Sequence, residues 1–312
     1  MEKLRSERAQ KLITVHTAAI DRLLTAQDSR DFSTAWHFIT QHFGQLYSVK
    51  ETVAELRKTI LQLAVMGKLV PQDPNDEPAS ELLKAIEIEK QRLVKEGKIK
   101  QPNILSPINM EEVPYKLPIG WEWEQLGNFG YTLGGGTPSK SDPSYWDGTI
   151  PWVSPKDMKV DYISDSQDHI SEIALRNSAT KLIPKGSLLI VVRGMILAHS
   201  FPAGITNSTV TINQDIKALC PYVSSISNYL LLLTKGRKLF FLSLVERSSH
   251  GTCRLETNQL LSAIIPIPPL PEQHRIVAKV DQLMALCDRL EEAITASQSK
   301  QTDLLNAVMA QV

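Results

Sequence analysis

Pro266-Ile267-Pro268-Pro269-Leu270-Pro271-Glu272-Gln273-His274-Arg275 opens the stretch whose reading decides the fold. Proline fixes φ and withholds a backbone donor, so the run to Pro271 is neither a helix interior nor a central strand. From Glu272 to Val312 there is no Pro or Gly. Apolar residues recur there at Ile276, Val280, Leu283, Cys287, Leu290, Ile294, Leu304 and Val308, with Ser297 and Gln301 where the series lapses. Steps alternating between four and three are the a/d seam of a coiled coil. A helix of about 40 residues, rising ~1.5 Å per residue, runs about 60 Å. Such a rod on a proline hinge is a spacer or an assembly surface. The plainer alternative is a long helix packed on its own domain.

Working outward, the N-terminal third also reads as helical. Residues 1–27 place Leu4, Leu12, Ile13, His16, Ile20, Leu23 and Leu24 on one side. Gln27-Asp28-Ser29-Arg30-Asp31 breaks that helix and supplies N-cap residues for the next. The apolar set of the second helix is Phe32, Trp36, Ile39 and Phe43, and Gly44 interrupts it. A third helix carries Val49, Val53, Leu56, Ile60 and Leu63, a second and shorter a/d seam ended by Gly67. The seams close alike, Leu61-Gln62-Leu63-Ala64-Val65-Met66 against Leu304-Leu305-Asn306-Ala307-Val308-Met309, which suggests two copies of one element. Pro71 to Pro78 is a turn-rich connector, Ala79 to Glu96 a charged helix stopped by Gly97, and Lys98 to Pro118 a proline-bearing linker.

From Gly120 to Ile267 the texture changes to short β-branched and apolar runs between turns. Strands are expected at Trp121–Leu126, Thr149–Val153, Ser187–Val192, Thr209–Ile212 and Ile216–Leu219, with helices near 224–234 and 237–246. The expected class is α+β: one mixed domain with a twisted β-sheet, flanked by long helices forming an antiparallel coiled-coil spacer. Its parts are a helical region 1–70, a linker with one helix 71–118, a mixed domain 119–268 and the long helix 269–312.

Bulk properties narrow the function. The 312 residues carry 34 Lys and Arg against 34 Asp and Glu, so no global field points to a polyanion and nucleic-acid binding would need a local patch. Three cysteines without C-x-x-C spacing argue against a disulfide scaffold or a zinc site and suit a cytoplasmic protein. No apolar run approaches the ~18 residues of a membrane span.

Several loops could carry contacts. Gly134-Gly135-Gly136-Thr137-Pro138-Ser139-Lys140-Ser141 falls short of a phosphate-binding P-loop, because Ser139 replaces its second glycine and Pro138 lacks an N–H. Gly135, Thr137, Ser139 and Lys140 could instead meet a nucleic-acid backbone, or form a plain surface turn. Lys156, in Pro155-Lys156-Asp157, lacks the converging carboxylates that a metal-dependent nuclease needs. Asn213 and Gln214 have side chains able to read adenine, though both residue types also cap turns. Arg193 emerges at a strand end, positioned either to grip phosphate or guanine or simply to be solvated. The densest polar loop holds Arg247, Ser248, Ser249, His250 and Arg254. It has no carboxylate to orient His250 toward a serine, and suits a groove better than a catalytic triad. No catalytic constellation is found.

At these residues the chain resembles the specificity subunits of type I restriction-modification systems. The resemblance rests on Leu117-Pro118-Ile119-Gly120-Trp121-Glu122-Trp123, Gly135-Gly136-Thr137-Pro138-Ser139, Gly148-Thr149-Ile150-Pro151-Trp152-Val153, the proline run through Ile276-Val277, and Ile60 to Pro71. It implies that 119–268 is a target recognition domain and that the helices are spacers on which methyltransferase subunits dock. It also implies double-stranded DNA and the modification and restriction subunits as partners, with methyl donor and any metal on those partners and no cofactor here. Such subunits usually carry two recognition domains and this chain has one, so it resembles a half subunit that pairs as a homodimer through its helices. Readings from other classes are a stand-alone DNA-modifying enzyme and a purely structural coiled-coil adaptor.

Overall fold

The computed structural model describes residues 2–26, 28–109, 111, 113–247 and 251–309. It divides into two compact units, one formed by 1–69 with 278–312 and the other by 70–277.

The first unit is helical. α1 (Glu2–Leu24) buries Ala19, Ile20 and Leu23 at the spacing of one helix face. The side chain of Leu4 lies outside the described residues. Asp28 caps α2 (Ser29–Gln41), its Oδ1 accepting from the N–H groups of Arg30 and Asp31 at 2.8 Å. Gly44 does not interrupt as expected. It sits inside a short turn, α3 (Phe43–Leu46), and the true break precedes α4 (Lys50–Val65). α4 buries Val53, Ile60 and Leu63 of its seam and ends at Gly67 with φ of 69°.

The second unit begins with the connector and α5 (Ala79–Lys95), whose first N–H donates to the carbonyl of Gly120 at 2.8 Å. The linker therefore opens onto the sheet domain through a direct tie. β1 (Glu122–Gln125), β2 (Gly130–Gly134), β3 (Ile150–Val153), β4 (Tyr162–Ile163) and β5 (Asp168–Ile170) follow, then α6 (Glu172–Asn177). β6 (Leu188–Val191), β7 (Ala203–Thr206), β8 (Thr211–Ile212) and β9 (Ile216–Pro221) lead into α7 (Ser227–Gly236) and α8 (Lys238–Ser243). β10 (Glu246–Arg247), β11 (Cys253–Arg254), α9 (Thr257–Leu261) and β12 (Ile264–Ile267) complete the unit up to α10 (Leu270–Met309). The α+β class expected from the sequence is the class observed.

Five strands form one sheet in the order β2-β9-β6-β7-β4, and three form another in the order β5-β3-β8. β6 is buried at every position, as suits a central strand of continuous apolar character. α7 is buried from Tyr229 through Leu233, which a helix apolar on all sides requires.

The proline run divides where its chemistry permits. Ile264–Ile267 pairs only with β1, Pro266 standing opposite Trp123, so both strands are edges and the missing N–H costs no ladder bond. The carbonyls of this strand find side-chain donors: Tyr229 Oη bonds Pro266 O at 3.0 Å and Arg237 Nη1 bonds Ile264 O. Pro271 lies in the first turn of α10, where a backbone donor would go unused. Glu272 is buried just after it, accepting from Trp121 Nε1 at 3.0 Å and Gln72 Nε2 at 3.1 Å. Burial raises its carboxyl above the usual range despite those donors.

From Ala278 onward α10 belongs to the helical unit. Val280, Cys287 and Ile294 of its seam are buried, and Arg57 of α4 reaches Asp288 at 2.6 Å, Glu291 at 3.3 Å and the Met284 carbonyl at 3.3 Å. Lys50 lies with Thr295 and Ser299, so α4 and α10 run antiparallel. A cavity of about 520 Å³ remains among Leu23, Ile39, Tyr47, Ile60, Leu63 and Cys287. Trp36 and Phe43, expected in the core, line it yet stay 49% and 41% exposed, while Ala35 takes the buried place on α2. The two similar seam endings stand in unlike surroundings. Leu63, Ala64 and Val65 are buried, whereas Leu304, Val308 and Met309 are exposed.

His16 of α1 is buried edge-on to Tyr47 at 5.1 Å, and neither ring nitrogen has a hydrogen-bond partner among the described residues. Desolvation lowers its pKa, partly opposed by Glu55. A folded-state pKa below the unfolded value means the unfolded chain takes the proton first. Stability is therefore full above pH ~6.5 and falls as pH drops from there toward the folded pKa. The thermal midpoint of the wild type should decline over that window in a melting series, and that of His16→Phe should be flatter.

Candidate nucleic-acid interface

The loops singled out in the sequence are organised by one pair of parallel strands. β3 and β8 pair in parallel with Val153 beside Ile212, so the segments leaving their C-terminal ends, 154–157 and 213–215, emerge together. The N–H of Asn213 donates to the Val153 carbonyl at 2.9 Å. Asp157 closes the first segment, its Oδ2 accepting from Ser154 N at 2.8 Å and Ser154 Oγ at 3.0 Å, and its Oδ1 from Gln167 N at 2.9 Å. That carboxylate shapes a turn, and Lys156 is left exposed on it.

The glycine-rich stretch packs against the second segment. A Cβ at Gly135 would overlap the Ile212 carbonyl, and the Gly136 N–H donates to that same carbonyl at 3.0 Å. The Gly136 carbonyl accepts from buried Trp152 Nε1 at 2.9 Å and Thr180 Oγ1 at 3.2 Å. This loop is held at both backbone groups, and its glycines serve close approach to backbone. Thr137 leaves it exposed, with Oγ1 donating to Gln214 Oε1 at 2.5 Å. Ser139 and Lys140 continue onto an exposed turn of their own. Ser139 Oγ meets Ser141 Oγ at 2.7 Å and its carbonyl accepts from Trp146 Nε1 at 3.1 Å.

Asn213 and Gln214 part company. Asn213 is 5% exposed, its Oδ1 accepting from Asp215 N at 3.0 Å and its Nδ2 donating to Asp215 Oδ2 at 3.1 Å. It caps a turn and is unavailable to a base, so the expectation of base contact fails for it. Gln214 is exposed. Asp215, unremarked in the sequence, joins this group to the arginines: its carbonyl accepts from the N–H groups of Val192 at 2.8 Å and Arg193 at 3.3 Å. The Asn-x-Asp spacing of a side-chain-closed turn was the available signal.

Arg193 in turn bridges Arg254 antiparallel, and Gly194, with φ of 130°, donates to the Cys253 carbonyl at 3.0 Å. β11 pairs with β10, placing Arg247 opposite Cys253. Arg254 shares its guanidinium with Glu256 at 2.8 Å, whereas Arg193 is exposed. Ser248, Ser249 and His250 lie outside the described residues. The structure thus links Thr137, Asn213, Gln214, Arg193, Arg247 and Arg254 by backbone or side-chain bonds, with Gly135 packed against the Ile212 carbonyl and Lys156 on the adjoining turn. Ser139 and Lys140 are not bonded to that group.

A family model described as the type I restriction modification DNA specificity domain matches residues 118–297. The chain belongs to that family. The specificity subunit of the Escherichia coli type I restriction enzyme EcoAI is 33% identical over 95% of this chain and 51% of its own length. That of EcoEI, also from E. coli, is 31% identical over 95% and 52%. The chain thus spans about half the length of these curated relatives. Among solved structures, a chain from work on the complex assembly and conformational transition of the type I R-M system superimposes with a TM-score of 0.50. It shares 20% identity over 94% of this chain and 67% of that one, a likeness of fold.

In this specificity-family member, Gly135→Ala should lower unfolding free energy by about 2–3 kcal/mol in denaturant titration, since the methyl meets fixed backbone. Asn213→Ala should cost about 1–3 kcal/mol through donors and acceptors left unpaired. Gln214→Ala should leave the unfolding curve within about 0.5 kcal/mol.

Proposed function

We propose that this chain is a DNA-reading subunit of a type I restriction-modification complex and performs no bond chemistry itself. The observation that carries the reading is the meeting of five loop segments at the ends of β2, β3, β6, β8 and β11 in a member of the specificity family. Lys156, Arg193, Arg247 and Arg254 bring exposed cations to a chain of zero formal charge, and Thr137 and Gln214 bring neutral hydrogen-bonding groups. Cations suit phosphate and amides suit base edges. With Gly135, Ser139, Lys140, Ser248, Ser249 and His250, these residues make up the proposed contact set. Segment 119–268 is the reading domain, 71–118 links it, and the helices of 1–70 and 269–312 carry the partners.

Those partners are the methyltransferase subunits, which extrude and modify a base, and the restriction subunits. Support for docking on the helical unit comes from Trp36, Phe43 and Leu286, large apolar side chains 49%, 41% and 45% exposed around its cavity. The exposed Leu304, Val308 and Met309 on the far end of α10 support pairing with a second copy, which would supply a second reading domain. A cytoplasmic setting suits three free buried cysteines, and no helix among the described residues is long and apolar enough to cross a membrane.

Binding of a specific duplex by the assembled complex should weaken with salt at a log–log slope of about −3 to −4, and Arg193→Ala should reduce that slope by about 1. A slope near zero would overturn the reading. Replacing 119–268 by the corresponding segment of a relative should change the methylated sequence in cells, and an unchanged sequence would favour the structural-adaptor alternative. Metal-dependent cleavage by the purified chain alone would favour the enzyme alternative. Sedimentation at micromolar concentration should show a dimer, and a strict monomer would remove the second reading domain from the proposal.

A further inference from the structure

The amide of Gln214 is tethered at both ends while remaining on the surface. Thr137 Oγ1 donates to its Oε1 at 2.5 Å, and its Nε2 lies 3.5 Å from Asp215 Oδ2. The carboxylate settles which end is oxygen, because a flipped amide would set Oε1 against Asp215 Oδ2. Asp215 is itself held, its N–H and carboxylate both bonded to Asn213. Thr137 is held through the Gly136 backbone on Ile212. An exposed glutamine normally samples many rotamers, and ordering one on binding costs affinity. Here that ordering is done before any ligand arrives.

A carboxamide offers two lone pairs and two N–H groups. Thr137 takes one lone pair and Asp215 one N–H, leaving one acceptor and one donor without a partner among the described residues. An acceptor beside a donor is the complement of the major-groove edge of adenine, which presents an N6 amino donor and an N7 acceptor. Guanine presents two acceptors there and cytosine one donor, so neither matches both free groups.

We infer that Gln214 reads an adenine in the major groove of the target and that Thr137 is its positioning residue, acting through the bond to Oε1. This rests on the proposal that the chain reads DNA. It separates Gln214 from its neighbour Asn213, and from Arg193, Arg247 and Arg254, whose charge suits phosphate.

The test uses the full chain assembled with its methyltransferase subunits. Methylated positions mapped in cells define the site, and duplexes are then made with each adenine in turn replaced by 7-deazaadenine, which lacks N7. At one adenine the wild-type complex should lose about 5- to 150-fold in affinity. The Gln214→Ala complex should lose a comparable factor on unmodified DNA, be indifferent to the analogue at that one adenine, and respond normally elsewhere. Thr137→Val should show part of the loss and Thr137→Ser should restore it, which a merely structural role for the loop would not produce. Undiminished sensitivity of Gln214→Ala at every adenine would overturn the inference while leaving DNA reading in place. So would a wild-type complex indifferent to 7-deazaadenine at every adenine. A wild-type complex with no preferred sequence would overturn the parent reading and this one with it.

Discussion

The Gly136 N–H bonded to the Ile212 carbonyl at 3.0 Å is the contact on which the candidate interface depends. It exists because Gly135 carries no side chain to overlap that carbonyl. With the loop held there, Thr137 comes within reach of Gln214, and the turn after β8 is pinned between the end of β3 and the start of the arginine-bearing segment. Parallel pairing of β3 with β8 is the companion constraint. It makes both strands deliver their following loops to one place, where antiparallel pairing would send them to opposite ends.

The same polar residues do two kinds of work a few ångströms apart. Asn213 spends its amide on Asp215 and is buried, and Asp157 spends its carboxylate on the Ser154 turn. Both are structural, and both leave a neighbour outside: Gln214 beyond the one, Lys156 beside the other. Turn-closing side chains thus decide which polar groups are presented to solvent. In the helical unit, Arg57 plays a comparable part, joining α4 to α10 through Asp288 and Glu291 while the seam residues Val53, Ile60, Val280 and Cys287 take the core. The seam of α10 therefore finds its first companion within the chain. Beyond Ile294, Leu304, Val308 and Met309 stand exposed.

Much of the architecture was legible because local chemistry and fold agree. The proline run, the Pro- and Gly-free stretch after it, Asp28 and Gly67 each mark a boundary by a local steric or hydrogen-bonding rule, and the long helix follows. The strands at Trp121, Thr149, Ser187 and Ile216 were visible from β-branched and apolar runs. β2, bounded by Gly130 and Gly134, β7, with Gly204 within it, and β12, with Pro266 within it, carry residues that argue against strands. They form through partners: β9 for β2, β6 for β7, β1 for β12. Trp36 and Phe43 failed as core markers for a related reason. Spacing shows that a helix has an apolar face, and only neighbouring helices show which part of that face is covered.

By itself the sequence determined the elements whose causes lie within a few residues of one another: helix periods, caps, breakers, and the set of polar loop residues that could meet a ligand. Its motifs also placed it in a family. Tertiary structure alone decided which loops meet, that Asn213 turns inward while Gln214 stays out, and that Arg193 lies beside Arg254. The physical reason is range. A cap or a period is settled by neighbours along the chain, whereas Thr137 meets Gln214, and Arg57 meets Glu291, only after strands and helices distant in sequence have paired.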